Sequence, residues 1–530
     1  MARIKKPKAD ALPQTTAQQL GSLIKSARDL MRKDKGLSTD LDRLPLLTWV
    51  MFLKFLDDME QLEESKSRMR GEEHKGAIEA PYRWRDWGAQ EAGITGPELL
   101  AFINHEEATR PDGTKGPGLL TYLRGLQGNG DNTHGRRRRV IASVFKDITC
   151  RMLSGYLLRD VINKLNGIRF LAKEELFTLG HLYETMLREM RDAAGDNGEF
   201  YTPRAVVRFM VAVTDPRLGE TVMDPACGTG GFLVEAYTHL EKQCKTIADR
   251  RVLQERSLFG GEAKPLPFLL CQMNLLLHGL ETPQIDPENS LRLKLTELGD
   301  KDRVDVILTN PPFGGEEEAG IKGNFPADLQ TAETALLFLQ LIMRRLKRPG
   351  HGSASGGRAA VVVPNGTLFG DGVCGRIKEL LLKEYNLHTV VRLPNGVFAP
   401  YTSIPTNLLF FDRSGLTREV WFYELPLPDG RKNYTKTQPM QFEEFTDCLA
   451  WWQKREENEH AWKVEVKVIL KYNEGGQLVS ANLDLKNPHA PEALEHLPPE
   501  QLADDILEKE RRIIEIMEEI KAELAKGASA

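Results

Sequence analysis

The run Ile307–Gly315, ILTNPPFGG, carries an apolar stretch into an amide, two prolines, an aromatic ring and two glycines. Two prolines cannot sit inside a central strand, because each removes a ladder donor and fixes φ. A strand over Val304–Leu308 therefore ends here and a stiff loop begins. The loop offers oxygen acceptors, the side-chain carbonyl of Asn310 and the backbone carbonyl of Pro311, held still by Pro311 and Pro312. Phe313 adds a flat apolar face beside them. Such a set suits a planar group whose own donors must be gripped.

A second run, TVMDPACGTGGFLVEA (Thr221–Ala236), reads as strand, Asp-Pro, Gly-rich turn and helix. Asp224 closes the strand. Gly228, Gly230 and Gly231, with Thr229 between them, let the backbone approach a ligand at a helix N-terminus. The phosphate-cradling Gly-Lys-Ser/Thr is missing, and Leu233 stands where a dinucleotide fingerprint would have its third glycine. Taken alone, the turn fits either a ligand loop or a simple tight connection. Past the next strand, in LFGGEAKPL, Glu262 is placed where a carboxylate can bind both hydroxyls of a ribose. A third strand end, IDPENSLRL, carries Asp286, Asn289 and Ser290, which suit either an adenine edge or an ordinary turn with a capped helix. Three successive strand ends of this kind point to a nucleoside that brings no phosphate charge to neutralise.

The elements that must position these groups follow from the pattern over about 200–415. Continuous apolar runs such as VDVILTNPPF, RAAVVVPNG, HTVVRLPNG and TNLLFFDRS alternate with helical segments. That alternation predicts an α/β fold: a mostly parallel sheet with helices on both faces and ligands beyond the carboxyl ends of the strands. Residues 1–170 read as α-helical, with apolar residues at helical spacing in Leu44–Leu62 and Ile148–Ile168. Leu176–Phe200 predicts a further helix, stopped by Gly195 and Asn197. The four arginines Arg136–Arg139 fit an ion-paired surface or a phosphate contact. His351–Arg358 is a small-residue linker, and the stretch after residue 415 suggests a hairpin or irregular extension. The tail bears an apolar stripe, Ile506, Ile513, Met517, Ile520 and Leu524, among charges. We therefore divide the chain into 1–170, 171–470 and a C-terminal extension 471–530. The 530 residues exceed a single core, and the net charge of −5 makes the whole chain a poor polycation. The six cysteines match no zinc spacing, so no metal is expected. No apolar stretch is long enough for a bilayer, and no secretory signal is seen.

DPACGTGGFL followed by NPPF resembles the amino-methyltransferases that use S-adenosyl-L-methionine, in the motif order of the gamma-type N6-adenine DNA methyltransferases. The closer resemblance is to the methylation (modification) subunit of type I restriction-modification systems. It extends through GEFYTPRAVVRFMV (Gly198–Val211), the later strand sequences and the helical N-terminal region. It implies a Rossmann-like S-adenosylmethionine-dependent methyltransferase domain. It implies cofactor contacts at Glu199, Phe200, Tyr201, Thr202, Pro203, Arg204, Asp224, Gly228, Thr229, Gly230, Glu262 and Asn289. Asn310, Pro311, Pro312 and Phe313 become the catalytic set, with Phe398 a further wall of the base pocket. An exocyclic amino nitrogen is a poor nucleophile because its lone pair is delocalised. The two carbonyl acceptors polarise it, and Phe313 stacks on the extruded base. The resemblance further implies double-stranded DNA with a flipped adenine and a cytoplasmic location. A separate specificity subunit, flanked by two methylation subunits, reads the site, and a restriction subunit can join. The C-terminal helix (Leu502–Leu524) is then the candidate contact to the specificity subunit, and the helical N-terminal region with Arg136–Arg139 a candidate clamp on DNA. A protein-glutamine N5 methyltransferase faces the same amide problem, and a silent assembly subunit or a nicotinamide oxidoreductase completes the alternatives.

Overall fold

The computed structural model describes residues 16–71, 73–126, 133–168, 202–350, 356–399, 402, 404–428, 430–435, 437–489 and, in the tail, 507, 510, 511, 513, 514, 516 and 517. The expected helix Leu176–Phe200 and most of the tail stripe lie outside these residues.

The N-terminal region is built on the helix Asp40–Met69. Thr39 caps it through the Asp42 N–H, and the Asp42 carboxylate returns to the Thr39 N–H. Trp49, Phe52, Trp87, Phe102 and Phe145 are all buried and fill the space between this helix, Gly96–Asn104 and Thr133–Phe145. The expected helix from Ile148 starts only at Gly155, because Ser154 caps it and the Asp34 carboxylate accepts the Leu153 and Ser154 N–H groups ahead of it. The polar stretch between the helices contains a short hairpin, β1 (Glu107–Thr109) and β2 (Lys115–Pro117), which helical periodicity does not reveal.

Among the described residues the remainder forms a sheet of nine strands and, near its end, a two-stranded hairpin of Leu470–Tyr472 with Leu478–Ala481. The nine are β3 (Val222–Asp224), β4 (Leu258–Gly261), β5 (Gln284–Asp286), β6 (Val306–Thr309), β7 (Arg358–Pro364), β8 (Asn386–Arg392), β9 (Thr406–Asp412), β10 (Glu419–Glu424) and β11 (Ala461–Glu465). Their order is β11-β10-β8-β9-β7-β6-β3-β4-β5. Only β9 and β11 run against the rest. The α/β class with a mostly parallel sheet is thus present. Two local expectations change. The strand ending at the double proline is Val306–Thr309, with Val304 only bridged to Leu346. The stretch after 415 begins with a regular strand, β10, parallel to β8. Both are short continuous apolar runs, in which no period marks where the strand begins or ends.

Sequence explains the layering. The β7 run AAVVVP is buried throughout, as a central strand covered on both faces must be. Helices Arg204–Thr214, Gly231–Glu241 and Pro265–Leu277 pack on one face, and Thr334–Arg345 with Val373–Glu384 on the other. Helix Pro265–Leu277 is apolar nearly all round because it is buried twice, by the sheet and by helix Asp40–Met69. The chain enters the sheet at β3, winds outward to β5 and returns to β6 on the other side of β3. The strand order therefore reverses between β3 and β6, where an open parallel sheet leaves a crevice at its carboxyl edge.

Candidate active site

Both loops singled out by their residue types emerge at that crevice. Asp224 ends β3 and Thr309 ends β6, and the two strands are hydrogen-bonded neighbours in register Val222–Val306 and Met223–Ile307. The Thr309 hydroxyl donates to the Asp224 carboxylate at 2.6 Å, with both side chains buried. The Ala226 N–H donates to the same oxygen at 3.1 Å. Burial pushes the Asp224 carboxyl up to about 7, against the opposing pull of these two donors.

The Gly-rich turn is shaped by its backbone. Gly228 and Gly230 take φ of +53° and +82°, the left-handed region that a side chain resists. Gly230 caps helix Gly231–Glu241. The turn is fastened from outside: Asn274, buried in the next helix, donates to the Thr229 carbonyl at 2.8 Å, and Ser290 donates to the Pro225 carbonyl at 2.7 Å. Cys227 and Cys271 face each other with 3.7 Å between sulfurs. The Cys271 thiol, together with burial, holds the Cys227 thiol well above its ordinary range.

Glu262 lies just past β4. Its two carboxylate oxygens receive the N–H groups of Gly228 at 3.0 Å and Lys264 at 2.9 Å. The carboxylate is therefore fixed against the Gly-rich turn. The groups of the third strand end have protein partners of their own. Asp286 pairs with Arg292 at 2.7 Å, and Asn289 accepts from the Leu291 N–H and donates to Glu317. Ser290 is spent on Pro225. Of these contacts, that of Ser290 braces the turn, and sequence alone cannot supply it.

At the other loop, the Asn310 amide nitrogen donates to the Thr202 hydroxyl at 3.1 Å. The Asn310 carbonyl oxygen is buried and has no hydrogen-bond partner among the described residues. An acceptor left unpaired in a buried position is costly, and in a native site it marks a place for a ligand donor. Phe313, partly buried, meets buried Phe398 edge-on, with ring centres 6.3 Å apart. Arg204 donates to the Gly231 carbonyl at 3.0 Å, so residues 202–204 run from the Asn310 loop to the Gly-rich turn. Glu199, Phe200 and Tyr201 lie outside the described residues. Sequence reasoning missed Thr309, Asn274 and Cys271. Thr309 alone left a signal: it is a hydroxyl in an otherwise apolar strand, immediately before Asn310.

The Arg136–Arg139 run is partly accounted for by ion pairs. Arg136 meets Glu255 at 3.0 Å, Arg137 meets Glu63 at 2.8 Å and Arg138 meets Glu79 at 3.1 Å.

The N-6 DNA methylase family model matches residues 175–481. The chain is 48% identical over 493 residues to the Type I restriction enzyme EcoEI methylase subunit of Escherichia coli, covering 91% of this chain and 93% of that one. The chain belongs to the N-6 DNA methylases, among the methylase subunits of type I restriction enzymes. Among solved structures, this methylase resembles one described as a modification subunit of a type I restriction enzyme from Vibrio vulnificus YJ016. The two share 69% identity at a TM-score of 0.85, covering 92% of this chain and all of that one. A chain from a study of complex assembly and conformational transition in a type I system is 39% identical at a TM-score of 0.73, covering 97% of this chain and 99% of the other. The expectation of a type I methylation subunit, and of an S-adenosylmethionine-dependent methyltransferase fold, therefore holds.

The residues present fit that cofactor. A carboxylate fixed beside a glycine turn suits a ribose, and the turn brings no cationic side chain of its own. No helix among the described residues is long and apolar enough to cross a membrane. No cluster of metal-ligating side chains occurs among them either.

Proposed function

We infer that this protein is the methylation subunit of a type I restriction-modification complex. It transfers a methyl group from S-adenosyl-L-methionine to the exocyclic N6 of adenine in DNA, at a site chosen by a separate specificity subunit. The modification protects host DNA from the restriction subunit of the same system, in the cytoplasm. Two methylation subunits flank one specificity subunit in this reading, and the target adenine is turned out of the duplex.

The observation that carries this reading is the unpaired, buried Asn310 carbonyl oxygen, hung by its amide nitrogen from Thr202 at the strand end next to the Gly-rich turn. Asn310 and the Pro311 carbonyl accept the two N–H bonds of the adenine amino group. As the nitrogen attacks, its positive charge grows and these hydrogen bonds strengthen, so they favour the transition state over the bound base. Pro311 and Pro312 keep both oxygens from turning away. Phe313 stacks on the base, with Phe398 behind it. The bound cofactor supplies an electrophilic methyl group on its sulfonium. Asp224, Gly228, Thr229, Gly230, Glu262 and Asn289 would hold its nucleoside end, with Thr202, Pro203 and Arg204 beside the Asn310 loop and the Gly-rich turn.

Asn310→Ala tests this reading. With the specificity subunit and site-bearing duplex, the variant keeps its affinity for S-adenosylmethionine. Its methyl transfer falls by about 10²–10³-fold, the usual loss for one preorganised acceptor or donor. Unchanged transfer would refute the role of Asn310. Methylation of a protein glutamine in preference to DNA would favour the N5 alternative instead.

A further inference from the structure

The connection from β5 to β6 contains only short 3-10 turns, Leu295–Glu297 and Asp300–Asp302. No crossover helix therefore covers the amino-terminal half of β3, β4 and β5 on the face that carries Met223 and Phe259. A cavity of about 600 Å³ remains on this face, running from Thr221 and Val304 at the amino ends of the strands to Gly260 and Asp286.

Its far wall comes from the N-terminal region. Arg136 and Arg139 lie three residues apart on helix Thr133–Phe145, hence on one helix face, and both line the cavity together with Val140. The intervening arginines turn away to Glu63 and Glu79. The near wall, on the methyltransferase sheet, presents Lys301 and Arg345. Arg345 is the unusual group. Its side chain donates to the Asp302 backbone carbonyl at 3.1 Å, yet it meets no carboxylate among the described residues, and its Nε is buried without a partner. Burial lowers its affinity for a proton, and the more distant Asp302 and Asp286 carboxylates offset that only in part. Of the two acids on the lining, Asp286 is already paired with Arg292, and the Asp302 carboxylate accepts the Gly299 N–H at 2.9 Å.

Cations on opposing walls of a half-enclosed space repel, and a poorly compensated guanidinium in a buried wall calls for an anion. The floor is apolar, and the volume lies within the range of small-ligand sites. We propose that this cavity binds a small phosphate-bearing ligand, whose anionic end bridges Arg139 to Lys301 and Arg345. It would join the N-terminal region to the methyltransferase sheet. This assignment is independent of the proposed reaction.

The test is isothermal titration of the full-length chain with inorganic pyrophosphate and with ADP. The expected result is saturable binding that weakens by at least about tenfold in Arg139→Gln and in Lys301→Gln, as loss of a charge-assisted contact requires. Both side chains are exposed, so both variants should fold. Lys301→Gln should also bind S-adenosylmethionine like the parent. Tighter binding of ADP than of pyrophosphate would assign the apolar floor to the rest of the ligand, and equal binding would assign the site to the phosphate groups alone. The proposal falls if neither probe saturates at millimolar concentration, or if the variants bind both probes as the parent does. Displacement of the probes by duplex DNA of unrelated sequence would also overturn it, since the cavity would then belong to a nucleic-acid path.

Discussion

The Thr309 hydroxyl reaches the Asp224 carboxylate across 2.6 Å, and this single buried hydrogen bond ties the strand end of the Gly-rich turn to the strand end of the Asn-Pro-Pro-Phe loop. A nucleophile and a methyl donor held on separate loops must keep their separation to a fraction of an ångström, so a direct bond between the two strand ends has a kinetic consequence as well as a structural one. Thr309→Val keeps the shape and removes the donor. The Asp224 oxygen then lacks one of its partners in a dry site, at a cost of about 1–3 kcal/mol. Chemical denaturation should show that loss, and methyl transfer should fall at saturating cofactor. Thr309→Ser should restore both. A variant with parental stability and turnover would show that the bond is incidental.

Asp224 also predicts a pH dependence. Its carboxyl ordinarily titrates near 3.8 and is raised to about 7 in the folded chain, chiefly by burial. A raised carboxyl favours the folded state fully only below its unfolded pKa, and that contribution is lost as pH rises through the folded value. The stability of the parent minus that of Asp224→Asn should therefore decline between about pH 4 and pH 7 and level off above. Thermal unfolding of the two proteins across this interval measures it. A difference that is flat, or that grows with pH, would contradict the assigned environment.

Gly230 carries two separable constraints. Its φ of +82° is unfavourable for any residue with a side chain, and a Cβ there would lie 2.9 Å from the Cys271 sulfur. Gly230→Ala should destabilise the protein by about 1–3 kcal/mol and weaken cofactor binding. Cys271→Ala removes the clash but not the backbone strain. The double variant should thus recover part of the loss, a coupling that a double-mutant cycle reports directly. Full recovery would mean that the backbone term is negligible, and no recovery would mean that the contact is.

The α/β class was legible because the apolar runs that end at Asp224 and Thr309 lie between helical segments and are followed by residues that stop strands. That the two loops meet followed from the same pattern, since both close parallel strands. The bracing was not legible. Asn274 and Ser290 look like ordinary helix and turn residues, and only the folded chain brings them to the carbonyls of Thr229 and Pro225. Arg136–Arg139 read as one charged block, whereas helical geometry divides it between acids of two different helices and a cavity wall. Strand β10 escaped notice because four apolar residues between two glutamates, EVWFYE, do not distinguish a sheet strand from an irregular extension.

The tail supplies the last prediction. At its described positions the backbone is helical, and Leu507, Ile513, Ile514, Ile516 and Met517 are all at least 41% exposed. Five large apolar side chains left in water on one short stretch exceed the scatter of single exposed residues on ordinary surfaces, and a partner chain is the usual reason. Ile513 and Met517 are four residues apart and Ile513 and Ile516 three apart, so these three share a helix face that a second helix could cover. In a type I complex the specificity subunit is the natural partner for that face. A chain ending at residue 499 should keep its unfolding temperature and its affinity for S-adenosylmethionine, because nothing described in the methyltransferase core rests on the tail. It should fail to co-purify with the specificity subunit and should lose site-directed methylation. Ile513→Asp with Met517→Asp in the full-length chain should do the same by charging the shared face. An intact complex in both cases would move the contact elsewhere on the subunit.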